Sequence, residues 1–150
     1  MVQSPRWTAR GDARLLVRRA IQAAASKLSG VEGELAVVLT DDSSIRRFNR
    51  HWRGKNAATD VLSFPARRGQ AGGDAPQLLG DVMIAYETAR REAQAECKPF
   101  AHHLTHLAVH GFLHLLGYDH RHSHEAEIME GLEAAILASL GMPDPYASRR

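Results

Sequence analysis

A single cysteine, Cys97, stands in this chain of 150 residues. It cannot close an internal disulfide, and it excludes zinc sites built on four thiolates. No run approaches the roughly 18 consecutive apolar residues that a membrane span needs. The opening residues, MVQSPRWTARGDAR, hold no apolar signal region. The expected setting is therefore cytoplasmic and reducing, with no membrane partner. Neither G-x-G-x-x-G nor G-x-x-x-x-G-K-[ST] occurs, so both nucleotide-binding fingerprints are missing. Internal repeats and low-complexity tracts are missing too.

What remains is globular in composition. Apolar residues make up 44% and charged residues 24%, which excludes a disordered or fibrous chain. The length suits one domain, residues 1–150, with one core. Net charge is only +2, but residues 1–55 carry 11 Lys and Arg against 5 Asp and Glu. That basic half can face an anionic partner, although solvated helix faces are the plainer account. The unusual count is nine histidines, eight of them between His102 and His124.

Periodicity predicts a helix over 13–28, with Val17, Ile21, Ala24 and Leu28 on one stripe. Glu34–Thr40 reads as a buried strand. Asp41 to Ser44 can cap a helix running through Ile45 and Phe48 toward Trp52, with Gly54 as its stop. Thr59–Phe64 and Gly80–Tyr86 read as strands, separated by a Gly-rich loop over 66–79. Helices follow over 87–97, 100–116 and 124–140, the last with Ile128, Leu132, Ile136 and Leu140 as its apolar positions. The fold class is α+β: a small mixed, mostly parallel, four-stranded sheet packed with about five helices.

The chemistry concentrates in HGFLHLLGYDH, residues 110–120. His110 and His114 are four apart on a helix, so both rings reach one side of it. Gly117 can take a positive φ and turn the chain back, bringing His120 to the same ion. His122 and His124 are alternates for the third ligand, each needing a longer excursion. His102 drifts too far around the helix to join His114. His106, one turn before His110, is placed to pack or hydrogen-bond behind it. Three neutral imidazoles leave the full charge on one Zn2+ ion and one coordination position open. Such a site can acidify water and attract a phosphodiester.

The spacing matches the zincin metalloproteases, whose metal helix carries H-E-x-x-H with the Glu as general base. Here that position is Gly111. Asp119 is the nearest acid in sequence, a candidate base or a partner for an imidazole. A zinc protease is thus one competing reading. Cys97 as a nucleophile paired with a histidine is another, and it lacks a third orienting group. Trp7 and Trp52 can stack on bases or simply pack.

TDVLSFP, LGDVMIA and HGFLHLLGYDH, in this order and spacing, resemble the YbeY family of bacterial rRNA maturation endoribonucleases. FNRHWRGKNAATDVLSFP resembles the family's Leu-Asn-x-x-Tyr-Arg block, with Phe48 and Trp52 as variants. IMEGLEAAILASLG resembles its final helix, so the likeness spans residues 34–141. It implies a zinc-dependent, single-strand-specific endoribonuclease of 16S rRNA 3′-end maturation and ribosome quality control. The implied partners are single-stranded rRNA, the small ribosomal subunit and its assembly factors. It assigns zinc to His110, His114 and His120 and a functional role to Arg53, which Arg50 and Lys55 flank as candidates to track an RNA backbone. The pair Met129-Glu130 departs from the family, which usually has a Phe beside the methionine. Met129 is a candidate to underlie the metal or to fill the core. A non-catalytic assembly factor with a structural zinc is the alternative.

Overall fold

A computed structural model describes residues 4–66 and 77–147. The chain runs α1 (Pro5–Ala9), α2 (Ala13–Lys27), β1 (Glu34–Thr40), α3 (Asp42–Arg53), β2 (Val61–Pro65), β3 (Leu78–Ala85), α4 (Tyr86–Ala95), α5 (Phe100–Leu115) and α6 (Ser123–Ser139). The sheet order is β1-β3-β2, with β1 parallel and β2 antiparallel to β3. Residues 67–76 of the expected Gly-rich loop lie outside the described residues.

The α+β class holds, but the sheet differs from the expectation. Three strands, not four, are present among the described residues, and parallel and antiparallel pairs are balanced. The sequence holds only three strand-like apolar runs, and each is already used. β2 returns directly alongside β3, whereas parallel pairing needs a crossover such as α3 provides after β1. Pro65 closes β2 opposite Gly80 rather than lying beyond it. β2 is an edge strand, where a residue without an N–H costs no ladder bond.

Six helices are described where about five were expected. The extra one, α1, begins at Pro5 in the first helical turn, and Ser4 Oγ accepts from Arg6 N–H at 3.4 Å. It carries Trp7 into the core, where the indole N–H donates to the Thr40 carbonyl at 2.7 Å. The Trp7 ring packs edge-on against Tyr86 at 5.2 Å. This tryptophan is core, not a stacking platform.

Side chains alternate across β3. Val82 and Ile84 enter the larger core with Leu107, Ala108 and Phe112, while Met83 and Ala85 meet Ile45 and Leu62 on the other face. A strand buried on both faces needs the continuous apolar run that β3 has. On the second face α3 is held at its start by Asp41, whose carboxylate accepts Ser44 N–H at 2.8 Å. On the first face lies α5, buried from Leu104 to Leu115 nearly all round. Its histidines, with Thr105, are the polar exceptions.

Candidate metal centre

The close seat of α5 on the sheet rests on Gly111. A Cβ built there would lie 2.6 Å from Val82 Cγ1 and 3.1 Å from Val61 Cγ2. Ser63 Oγ donates to the Gly111 carbonyl at 2.8 Å and ties β2 to the helix. The position that carries the general base in H-E-x-x-H therefore faces packed strands and holds no side chain of any size. His110 and His114, one residue before it and three after, sit about 100° and 60° around the helix axis from it.

Gly117 has φ +100°, which stops the helix and folds the chain back. That turn delivers His120. One nitrogen from each of His110, His114 and His120 lies within 4.8 Å of the others. The Nε2 atoms of His110 and His114 are 3.1 Å apart, and two nitrogen ligands on a tetrahedral zinc lie about 3.3 Å apart. Of the candidate third ligands, His120 joins the pair. His122, at the N-cap of α6, and His124, in its first turn, are exposed and stay outside the cluster. His114 is held below the ordinary histidine range by burial and by the neighbouring His110 and His120 rings. The neutral ring that a metal ion needs is thereby favoured.

Behind these rings stands Glu133 of α6, 0% exposed. Its Oε1 receives His110 Nδ1 at 2.8 Å. Its Oε2 receives His106 Nε2 and the Tyr146 hydroxyl, the latter at 2.5 Å. Burial alone would raise this carboxyl; the hydrogen bonds from His106 and His110 outweigh it and bring the pKa down to about 2. The placement of His106 behind His110 is as expected from its spacing. His106, His110 and Glu133 also satisfy the distances of a metal-binding group, but here the contacts are ring N–H donors on a carboxylate.

Glu133 and Tyr146 escaped the sequence reading. The apolar stripe expected on α6 is rotated by about one residue: the buried positions are Met129, Glu133, Ile136 and Leu137, and Ile128 is 46% exposed. The available signal was an acidic residue at helical spacing from Met129 and Ile136. Met129 is buried core and also lines the histidine cavity.

That cavity, about 300 Å3, is lined by His103, His106, His110, His120, Asp60 and Glu92 among others. Burial, with the neighbouring Glu92 carboxylate, pushes Asp60 above the ordinary carboxylate range. Asp60 also accepts Val61 N–H at 2.6 Å. Asp119 accepts its neighbour's backbone N–H, on His120, at 2.7 Å, pairs with Arg121 at 2.9 Å and lies 3.7 Å from His120 Nδ1. Cys97 is exposed, between α4 and α5.

Arg53, Arg50 and Lys55 are exposed at the C-terminal end of α3 and just beyond it, and none of them lines the histidine cavity. Trp52 is 61% and Phe48 42% exposed on the same helix. With Phe64 and Leu78 they border a separate, mostly apolar cavity of about 580 Å3 that contains no histidine.

The sequence profile of the family described as Endoribonuclease YbeY matches residues 4–141. The chain belongs to the YbeY family. It is 56% identical over 147 residues to Endoribonuclease YbeY of Rhodopseudomonas palustris strain BisB18, covering 95% of this chain and 88% of that protein. It is 57% identical over 148 residues to the YbeY endoribonuclease of Bradyrhizobium sp. strain BTAi1, with coverage of 95% and 88%. The fold is shared with the solution structure of TM1509 from Thermotoga maritima, at TM-score 0.56 and 20% identity, covering 87% of this chain and 85% of that one. The family match extends through α1 and α2, well before Glu34 where the motif likeness starts.

Proposed function

We propose that this chain is a zinc-dependent endoribonuclease that cleaves single-stranded RNA, working in 16S rRNA 3′-end maturation and ribosome quality control. The single observation that carries the reading is the convergence of His110, His114 and His120, with two Nε2 atoms 3.1 Å apart. The relatives' names supply the reaction class. The donor set is all nitrogen, which suits zinc over calcium or magnesium. A bound zinc ion supplies Lewis acidity toward a phosphodiester and lowers the pKa of water. α5 then serves as a zincin-like metal helix without the protease's carboxylate at position 111.

The chain's own residues supply the rest. Arg53 binds a phosphate through its guanidinium fork, while Arg50 and Lys55 follow the RNA backbone. Asp60, in the cavity beside His110, is a carboxyl whose raised pKa suits proton transfer. The small ribosomal subunit and its assembly factors are the setting, in the cytoplasm.

A purely structural zinc fits less well. Structural sites are closed by four protein ligands. Here the set has three histidines among the described residues, and the His120 side chain is 59% exposed beside an open cavity. The test is cleavage of an unstructured RNA by purified protein, with a chelator and zinc add-back, and with His114→Ala and Arg53→Ala in parallel. Cleavage should stop with chelator, return with zinc, and fall at least 100-fold in His114→Ala. Equal cleavage by all three proteins would assign the activity to a contaminant.

A further inference from the structure

We propose that Glu133 is the positioning residue of this centre: its buried carboxylate fixes the His110 ring with the proton on Nδ1 and so presents the Nε2 lone pair to the metal ion. This rests on the metal reading of the three histidines and assigns a residue beyond them.

The geometry starts from the carboxylate. Glu133 is 0% exposed, and its only ion-pair partners among the described residues are the His106 and His110 rings. Among the described residues no Lys or Arg pairs with it. A carboxylate accepts only, so each group against it must donate. His110 therefore carries its proton on Nδ1, 2.8 Å from Oε1. Its other nitrogen, Nε2, is then the acceptor, and that is the atom 3.1 Å from His114 Nε2.

His106 completes the logic from the other oxygen. Its Nε2–H is committed to Oε2, and its Nδ1 is buried with no hydrogen-bond partner among the described residues. A proton on that Nδ1 would be a buried donor without an acceptor. His106 thus serves Glu133 as a donor through Nε2. Tyr146, from the segment after α6, adds its hydroxyl to the same oxygen at 2.5 Å. Three donors hold one carboxylate, which cannot rotate without losing at least one of them. A buried negative charge without a cationic side chain is costly, and a divalent cation one imidazole away is the counter-charge this arrangement suits. The same contact makes His110 a more basic ligand.

The test needs no assay of RNA cleavage. Ring 15N NMR on metal-free protein at pH 8 reads the His110 tautomer directly. A single Nδ1–H form is expected; an Nε2–H form or an even mixture overturns the proposal. Competition with a chromogenic chelator gives zinc affinity for wild type, Glu133→Gln and Tyr146→Phe. Glu133→Gln should bind zinc about 10–100-fold more weakly, and Tyr146→Phe should lose less, because both rings keep the carboxylate. Equal affinity of folded Glu133→Gln and wild type overturns the proposal. Should Glu133→Gln fail to fold by circular dichroism, the wild-type tautomer decides alone. Wild type that binds no zinc overturns the metal reading itself, a result separable from either of the others.

Discussion

Ser63 and Gly111 are joined by a 2.8 Å hydrogen bond from a strand hydroxyl to a helix carbonyl, and at that point α5 lies flush on the sheet. The contact fixes the rotation of α5. With position 111 turned to the strands, positions 110 and 114 are set about 100° and 60° around the axis from that contact. The direction in which these histidines project is thus set by how α5 packs on the sheet.

Gly111→Ala tests this. The added methyl lands 2.6 Å from Val82 Cγ1, inside any normal contact. Overpacking costs about 1–3 kcal/mol, offset in part by the better helix propensity of alanine, about 1 kcal/mol. The variant should be destabilised in urea unfolding, and Val82→Ala in the same chain should recover part of the loss. A Gly111→Ala protein more stable than wild type would contradict the packing account.

Zinc content should depend on pH in one direction. Protons and the ion compete for the same ring nitrogens, so occupancy is lost on the acid side. His114 already sits below the ordinary histidine range through burial and its His110 and His120 neighbours. Zinc measured by elemental analysis after dialysis should be near one equivalent at pH 7.5 and should fall as pH drops below about 6. Full retention at pH 4.5 would exclude a site made of three imidazoles.

Asp42 gives a pH effect far from the metal. It sits at the start of α3 and accepts from Thr88 N–H at 3.1 Å, Thr88 Oγ1 at 2.7 Å and Arg91 at 2.9 Å, pinning α3 to α4. Burial raises its pKa, but these partners outweigh it and leave the carboxyl below 3.8. Folding thus gains from the ionised form above the unfolded value, and the gain disappears as pH falls through the lower folded value. Arg91 is largely exposed, so the loss in Asp42→Ala should be about 1 kcal/mol at pH 7. The gap between variant and wild type should shrink as pH falls through the folded carboxyl's lowered range, measured by urea unfolding at neutral and at acid pH.

The parts of the fold that the sequence made legible are those set by local pattern. β1 begins and ends at the expected residues, and the Asp41 cap and the Gly117 turn are where local chemistry places them. The histidine triple was legible for the same reason, since an i, i+4 pair and a glycine turn are short-range features. Strand number and direction were not, because pairing is decided between distant segments. Glu133 was hidden most deeply. On α6 it looks like one more acidic residue beside Glu125, Glu127 and Glu130, and its burial makes sense only once His106, His110 and Tyr146 surround it. Those donors come from 27 and 23 residues before it and 13 after, so no local window contains them.

Arg53 offers the sharpest separation of RNA handling from metal binding. It is exposed at the end of α3 and does not line the histidine cavity, so Arg53→Ala should keep its zinc and its stability. If the guanidinium clamps a phosphate, cleavage should fall about 10–100-fold, the worth of a charged hydrogen-bonded contact. Arg53→Lys should not restore it, because an ammonium cannot reproduce two parallel bonds to one phosphate. Arg50→Ala and Lys55→Ala should instead weaken RNA binding slightly and reduce its salt dependence, as neutralised backbone contacts do. The measurement is initial rate against RNA concentration at two salt concentrations, with zinc content determined on the same preparations. Full activity in Arg53→Lys would reduce this residue to a general positive charge and move the clamp elsewhere on the basic helix.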